Sequence, residues 1–167
     1  MFEISSKKLT AGQRSVSFRA AAEGDESLLR NLYASTRSQE MALTGWNQAQ
    51  QDVFLKMQFN AQQAHYRSHY PDAEHLVILL DGQGIGRIYV ADKGDEIRIL
   101  DLTILPSHRS LGVGALILDE AMSEATTLGK PLTINIESDN PSLSLFERLG
   151  FHKAENDGYR YLMKFQG

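Results

Sequence analysis

Residues 108–115 read His-Arg-Ser-Leu-Gly-Val-Gly-Ala and join a strand-like run to a helix-like run. The preceding run, residues 97–105, is rich in β-branched side chains, whereas apolar residues recur at near-helical spacing from Val113 to Leu128. Glycines at such a junction let backbone N–H groups approach an anion without obstruction by a Cβ atom. A helix start adds unpaired donors and a partial positive charge, and Arg109 adds a full charge. The segment therefore predicts a site for a phosphate-bearing ligand.

Two familiar phosphate-binding motifs do not fit this spacing. A P-loop requires a lysine directly after its last glycine, and no lysine follows the glycines here. A dinucleotide-binding fingerprint reads Gly-x-Gly-x-x-Gly and opens a βαβ unit. The order here is Arg-x-x-Gly-x-Gly, and it lies late in the chain. The phosphate site therefore belongs to another class.

The order Arg109-x-x-Gly112-x-Gly114-Ala115 resembles the acyl-CoA signature of the GNAT superfamily of N-acetyltransferases. A second segment, Asn140 to Phe151, is similar to the late "N…A…LY…GF" element of that family, and the distance between the two segments also fits. The resemblance is strongest from about Ile97 to Phe165 and extends back to about Val16. The competing interpretation is a helix start that merely tolerates glycine, and it requires two spaced motifs to coincide by chance.

Composition limits the alternatives. The 167 residues carry a net charge of −4, with 42% hydrophobic and 23% charged residues, which is typical of one globular domain over residues 1–167 and unlike a general nucleic-acid binder. Cysteine is absent, so disulfides, cysteine metal sites and a cysteine nucleophile are excluded. We recognise no secretory signal and no apolar run of membrane-spanning length, so we expect a cytoplasmic protein with neither membrane nor nucleic acid as partner.

The pattern of elements predicts an α/β fold. Strand and helix signals follow the order β-α-α-β-β-β-α-β-α-β-β, and residues 1–14 form a loose arm or an extra edge strand. Glycines 82, 84 and 86 read as a hairpin turn, because no helix follows them. The order suits helices on both faces of a mixed sheet. The GNAT resemblance makes this a mostly antiparallel, twisted sheet of about six to seven strands.

The resemblance also implies where acetyl-CoA binds as cosubstrate. The two central strands, near 97–105 and 132–137, splay apart, and the pantetheine arm pairs with the exposed backbone of the first strand. The backbone amides after Arg109 hold the pyrophosphate. Asn140 lies near the arm and also starts the last helix, as the residue before Pro141. The implied cofactor residues are Leu102, Thr103, Ile104, Arg109, Leu111, Gly112, Val113, Gly114, Ala115, Asn140 and Phe146. No metal is expected, although His65 and His69 stand at a helical i,i+4 spacing.

Acetyl transfer to an amine requires a neutral nucleophile. A lysine-like amine has a pKa of about 10.4, so roughly one molecule in 2,500 is neutral at pH 7. A carboxylate or a histidine can take the proton, directly or through water. The candidate bases are Asp101, on the strand leading to the cofactor, and Glu137, at the end of the next strand; His65 is a third candidate. The structural alternatives are that Asp101 is a strand carboxylate held by neighbouring donors and that Glu137 is a solvated surface side chain or a loop cap.

Side chains of the two early helical segments are expected to line the acceptor site. These are Arg37, Trp46, His65 and Tyr66. The acceptor itself is a small-molecule or peptide amine that the sequence does not identify. Oligomerisation is common in the family, so this chain could form a homodimer, although no segment specifies it.

One position departs from the family pattern. Many members use a tyrosine as the acid that protonates the leaving thiolate, and the matching residue here is Phe146, which has no proton to give. Three interpretations are open. The enzyme works without this acid, since a thiol has a pKa of only about 8.5; water or another residue replaces the acid; or the chain binds acyl-CoA and has lost catalysis. The expected function is an N-acetyltransferase acting by direct attack, and the alternatives are a non-catalytic acyl-CoA sensor and a structural protein with a vestigial pocket.

Overall fold

An eight-stranded sheet forms the centre of the molecule. In the computed structural model, which describes residues 2–167, the strands lie in the order β1-β2-β3-β4-β5-β6-β8-β7. Neighbouring strands run antiparallel except β5 and β6, which run parallel. The strands are β1 Leu9–Ala11, β2 Arg14–Ala20, β3 Glu74–Leu80, β4 Gln83–Asp92, β5 Ile97–Ile104, β6 Leu132–Glu137, β7 His152–Asn156 and β8 Arg160–Phe165. The prediction of a mixed, mostly antiparallel sheet is confirmed, with one strand more than the upper expectation.

The additional strand belongs to the N-terminal arm. β1 is the edge strand and pairs with β2. Phe2 and Ile4 precede it and are buried in the main hydrophobic core. The arm is thus an edge strand anchored by apolar side chains, which was one of the two expectations for this segment.

Within residues 2–167 the chain forms five α-helices. They are α1 Glu26–Thr36, α2 Ser38–Ala42, α3 Gln48–His69, α4 Val113–Thr127 and α5 Leu143–Leu149. The long helix α3 begins after Asn47, whose side chain accepts from the Gln50 amide while the Gln50 side chain accepts from the Asn47 amide. This reciprocal capping box satisfies two backbone donors and explains why the helix starts there.

The two faces of the sheet have different chemistry. Ile88 and Val90 of β4 join the large apolar core that includes α4, whereas Arg87, the residue before Ile88, contacts α3. Because alternate residues of a strand point to opposite faces, α4 and α3 cover opposite sides of the sheet. A second, smaller apolar cluster of Leu29, Leu32, Tyr33 and Phe59 joins α1 to α3. The face under α3 is partly polar, because it carries Arg87 as well as this apolar cluster.

The parallel strands β5 and β6 separate part-way along their length. Their pairing runs from Ile97↔Leu132 to Ile99↔Ile134, while both strands continue beyond it. On the other side of β5, Tyr89 pairs with Asp101 and Val90 with Ile99, so Leu100 is an extra residue. This β-bulge bends β5 at the point where it leaves β6. The gap between the two strands opens toward their C-terminal ends.

Candidate active site

The turn between β5 and α4 exposes a row of backbone donors. After a short 3-10 turn at Pro106–His108, Ser110 and Gly112 adopt positive φ values of 66° and 79°. The helix begins at Val113, and no side chain caps it in the part of the chain that the structure describes. The amides of its first turn, with Gly114 and Ala115, therefore have no partner within the helix. This segment can hold an anion in the way expected from the sequence.

Glycine occupies the two positions of the turn, Gly112 and Gly114, for different structural reasons. A Cβ on Gly112 would meet no atom within 4 Å, so its positive φ is what requires glycine there. Gly114 has an ordinary helical backbone, and a Cβ would lie 3.6 Å from Cδ1 of Ile104. Leu111 beside them is 46% exposed, and the side chain of Val113 is buried in the core. The backbone of the turn is thus open to solvent while Val113 anchors it.

Arg109 lies beside this turn and is exposed. Its Nε donates to the carbonyl oxygen of Ile104 at 3.0 Å, and its Nη2 donates to Oγ of Ser35 at 3.5 Å. The guanidinium therefore joins the end of β5 to α1. Its charge lies next to the glycine turn without replacing the backbone donors.

The free stretch of β5 carries the three residues expected to face the pantetheine arm. Leu102 and Ile104 are half-buried and pack against the main core, whereas Thr103 is buried on the opposite face. These residues have no pairing with β6, so their backbone groups on that side are not used within the sheet. An extended ligand could hydrogen-bond to them as an added strand does.

Asp101, the first candidate base, is held by neighbouring donors. Its Oδ2 accepts from Nε of Arg87, and its Oδ1 accepts from Oγ1 of Thr103 at 2.8 Å. The Asp101 side chain is 22% exposed, whereas that of Arg87 is only 1% exposed. The strand carboxylate held by donors, which was the structural alternative for this residue, is what the structure shows.

Glu137, the second candidate base, lies at the end of β6 in an open cavity of about 380 Å³. Its Oε1 accepts from Nη1 of Arg37 at 3.2 Å, and the same nitrogen donates to Oε1 of Glu40 at 3.0 Å. The Arg37 guanidinium also lies 5.4 Å from the centre of the Tyr33 ring. Half of the Glu137 side chain is exposed, so this carboxylate is accessible to a ligand.

The structure brings together only some of the residues expected at the acceptor site. Arg37 meets Glu137, and the Tyr66 hydroxyl donates to the Leu100 carbonyl at 3.0 Å. Burial raises the pKa of Tyr66 to about 12, so its hydroxyl stays protonated and able to donate.

Trp46 packs edge-on against Phe54, and the exposed His65 ring stacks on His69, without a described contact to either candidate base. No group of three or more potential metal ligands occurs within residues 2–167.

The late segment differs in detail from its sequence prediction. The helix α5 begins at Leu143, so Asn140 is not its N-cap; its Oδ1 instead accepts from the amide and the hydroxyl of Ser142. An asparagine side chain can bond to the backbone two residues ahead in a local turn, which is the arrangement at Asn140. Phe146 is buried and packs edge-on against Phe151, with ring centres 5.2 Å apart.

Sequence reasoning missed the residues that hold the candidate bases. These are Arg87, Gln62 and Gln63 around Asp101, and Tyr33 and Glu40 around Arg37. One signal was available: Arg87 is a charged residue in the otherwise apolar run Ile85 to Val90. A charge in a buried strand requires a partner, and such pairs concentrate at functional sites.

Comparisons with known proteins agree with this geometry. The family model described as acetyltransferase (GNAT) domain matches residues 34–166. The fold is similar to the crystal structure of PaiA N-acetyltransferase from Thermoplasma acidophilum in complex with coenzyme A, at a TM-score of 0.67 and 16% identity over 91% of this chain and 99% of that one.

Two further solved structures share the fold. An acetyltransferase from Thermus thermophilus has a TM-score of 0.65 and 16% identity over 91% of this chain and 97% of that one. A GNAT-family acetyltransferase from Listeria monocytogenes has a TM-score of 0.63 and 14% identity over 96% of this chain and 100% of that one. No curated protein sequence matches the chain. Within the described residues, no helix is both long and apolar enough to span a membrane.

Proposed function

The chain belongs to the GNAT acetyltransferase family, and from this premise we propose that it transfers an acetyl group from acetyl-CoA to a primary amine. The observation that carries the proposal is the separation of β5 from β6 beside an uncapped, glycine-rich helix start. The gap offers unpaired backbone to an extended ligand, and the helix start offers donors to a pyrophosphate. A ligand that contains both parts fits this arrangement.

Acetyl-CoA is such a ligand. Its pyrophosphate would be held by the amides of residues 111–115 with the charge of Arg109 nearby, and its pantetheine arm would lie along residues 102–104. The solved relative from Thermoplasma acidophilum was crystallised with coenzyme A, which supports this assignment. A backbone N–H of the free stretch of β5 would polarise the thioester oxygen as the amine attacks.

The amine must lose a proton for the transfer to finish. Glu137 is accessible and has one oxygen, Oε1, engaged by Arg37. Asp101 has both oxygens engaged. We therefore favour Glu137, directly or through water, as the group that takes the proton. Arg37 and Tyr66 would border the amine, whereas the Trp46 ring packs on Phe54 and the His65 ring stacks on His69.

The leaving thiolate has no tyrosine acid at Phe146. A thiol has a pKa of about 8.5, so the thiolate leaves without full protonation, and water can supply the proton afterwards. The buried, apolar packing of Phe146 also favours the second candidate function, an acyl-CoA-binding module without turnover.

Two measurements test the proposal. Calorimetry with acetyl-CoA should show binding to a single site, and absence of binding would overturn both candidate functions. A thiol-release assay with spermidine, kanamycin, L-lysine and a peptide with a free amino terminus should then show turnover with at least one amine. Binding without release from any of the four would favour the non-catalytic module.

A further inference from the structure

A buried arginine lies under α3 on the polar face of the sheet. The side chain of Arg87 is 1% exposed, and burial of a guanidinium costs several kcal/mol unless its donors are paired. Its Nε contacts Asp101, its Nη1 donates to Oε1 of Gln63 at 2.9 Å, and its Nη2 donates to Oε1 of Gln62 at 2.6 Å. An apolar side chain could fill this position without that cost, so Arg87 does more than fill space.

The arginine and its partners meet β5 at the bulge. Asp101 follows Leu100, the extra residue, whose carbonyl accepts from the Tyr66 hydroxyl. Gln62 and Gln63 precede Tyr66 on α3 by four and three positions, so each lies on the same side of that helix as Tyr66. The helix therefore acts on two adjacent residues of β5 where the strand separates from β6: it contacts Leu100 directly through Tyr66, and it reaches Asp101 through Arg87 of β4.

The network leaves the Asp101 carboxylate oriented and partly accessible. A carboxylate and a guanidinium in contact stabilise each other in their charged forms. The Thr103 hydroxyl fixes the second oxygen at 2.8 Å. The side chain is still 22% exposed, and each carboxylate oxygen retains an acceptor site for another donor. Asp101 is thus suited to stabilise a positive charge.

We infer that Arg87 is a positioning residue for the transfer: it holds the Asp101 carboxylate in place to stabilise the positive charge that forms on the attacking amine. The inference rests on the proposed function. As the amine nitrogen bonds to the acetyl carbon, the carbonyl electron pair moves to oxygen and the nitrogen becomes positive. The oxygen electron pair then re-forms the carbonyl as the carbon–sulfur bond breaks, the electron pair of that bond leaves with the thiolate, and the nitrogen releases its proton to Glu137 or water. Asp101 accepts no proton and acts through its fixed charge.

Chemical rescue distinguishes two causes of a lower kcat, the loss of the guanidinium charge and misfolding of the variant. Arg87→Ala should lower kcat about 100-fold, the size of losing one oriented charge in an active site, while the Kd of acetyl-CoA changes little. Added guanidinium chloride at low millimolar concentration should restore part of kcat, because the ion can occupy the space left by the side chain. Asp101→Asn should lower kcat similarly and show no restoration. Rates are measured with the amine that wild-type protein acetylates fastest among spermidine, kanamycin, L-lysine and the peptide.

Two further variants complete the test: one is a second probe of Asp101, and the other is a matched control. Thr103→Val removes one donor to Asp101 but keeps the shape and strand preference of the side chain, so it gives a folded protein if Arg87→Ala does not; its kcat should fall about tenfold. Arg98→Ala is the matched control, because Arg98 also pairs with a carboxylate, Glu96, and lies on β5 before the bulge. Its kcat should stay near the wild-type value with no response to guanidinium.

The outcomes distinguish the inference from the function on which it rests. If Asp101→Asn and Thr103→Val keep wild-type kcat while the wild-type protein acetylates an amine, the inference is wrong and the proposed function stands. Failure of guanidinium to restore a folded Arg87→Ala protein also overturns it. If wild-type protein binds acetyl-CoA but acetylates none of the four amines, both fail, and that result appears without any substitution.

Discussion

The hydroxyl of Tyr66 donates a hydrogen bond to the carbonyl oxygen of Leu100 at 3.0 Å. Leu100 is the bulge residue of β5, and Tyr66 lies 34 positions earlier on α3. A single phenol therefore ties the helix to the point where the two central strands separate. The contact matters because the shape of the gap depends on that bend.

Tyr66→Phe should lower the free energy of unfolding by about 1–3 kcal/mol, because the Leu100 carbonyl would be left without its donor in a partly buried place. Denaturant-induced unfolding measures this difference. Tyr159→Phe is the matched control, since Tyr159 is 81% exposed and its loss should change stability by less than about 0.5 kcal/mol. Equal stability of the two variants would show that the Tyr66 contact contributes nothing.

Glu137→Gln should lower kcat by about 10²–10⁴-fold, because the amide cannot take a proton from the amine. Glu40→Gln is the control, because Glu40 pairs with the same nitrogen of Arg37 but lies on α2. Both carboxylates are more than half exposed, so each substitution should change the free energy of unfolding by less than about 1 kcal/mol. Steady-state kinetics with a saturating amine measure kcat, and equal effects of the two substitutions would contradict the assignment of Glu137 as base.

Gly114→Leu should abolish acetyl-CoA binding while leaving the protein folded. The position has a helical backbone, and leucine favours a helix by up to about 1 kcal/mol over glycine. A Cβ would make only an ordinary contact with Ile104 at 3.6 Å, so the added atoms extend toward the proposed pyrophosphate site. Calorimetry and thermal unfolding measure the two effects separately.

The control for this variant lies at the other end of the same helix. Thr127→Ala on α4 should also favour the helix and should leave the acetyl-CoA Kd unchanged, because Thr127 is exposed and far along α4 from the turn. Retained acetyl-CoA affinity in Gly114→Leu would mean that the glycine turn does not hold the pyrophosphate.

His75→Phe should raise the free energy of unfolding by about 1 kcal/mol at neutral pH. The Nε2 atom of His75 is buried and has no hydrogen-bond partner among residues 2–167. Its ring stacks on Tyr89 with centres 4.3 Å apart, and a phenyl ring can keep that contact. The gain comes from removing an unsatisfied polar atom.

The same variant should change how stability depends on pH. Burial lowers the pKa of His75 from 6.5 to about 4. As the pH falls from 6.5 toward 4, the unfolded chain binds a proton that the folded protein does not bind, so the free energy of unfolding falls across that window. His75→Phe should lack this component, whereas His152→Phe on the exposed strand β7 should retain it. Denaturant unfolding at several pH values compares the three proteins, and identical slopes would refute the role of His75.

Local signals predicted much of the framework. The strand over residues 97–105, the helix from Val113 and the strand over residues 132–137 were all expected and are all present. These signals act between neighbours in the chain. They are a glycine at positive φ, an uncapped helix start, and apolar residues that recur with a period of two in a strand or 3.6 in a helix. Asn140 shows their limit, because its side chain binds locally to Ser142 instead of capping α5. Two local arrangements compete there, and spacing alone does not distinguish them.

The sequence by itself determined the mixed α/β pattern and the glycine turn at an open helix start, because both follow from periodicity and from backbone conformations available to particular residues. Only the tertiary structure decided the environments of the two candidate bases. Arg87 reaches Asp101 across 14 residues, and Arg37 reaches Glu137 across 100. Charged side chains act through space, so which carboxylate is held and which is accessible depends on how the strands and helices pack.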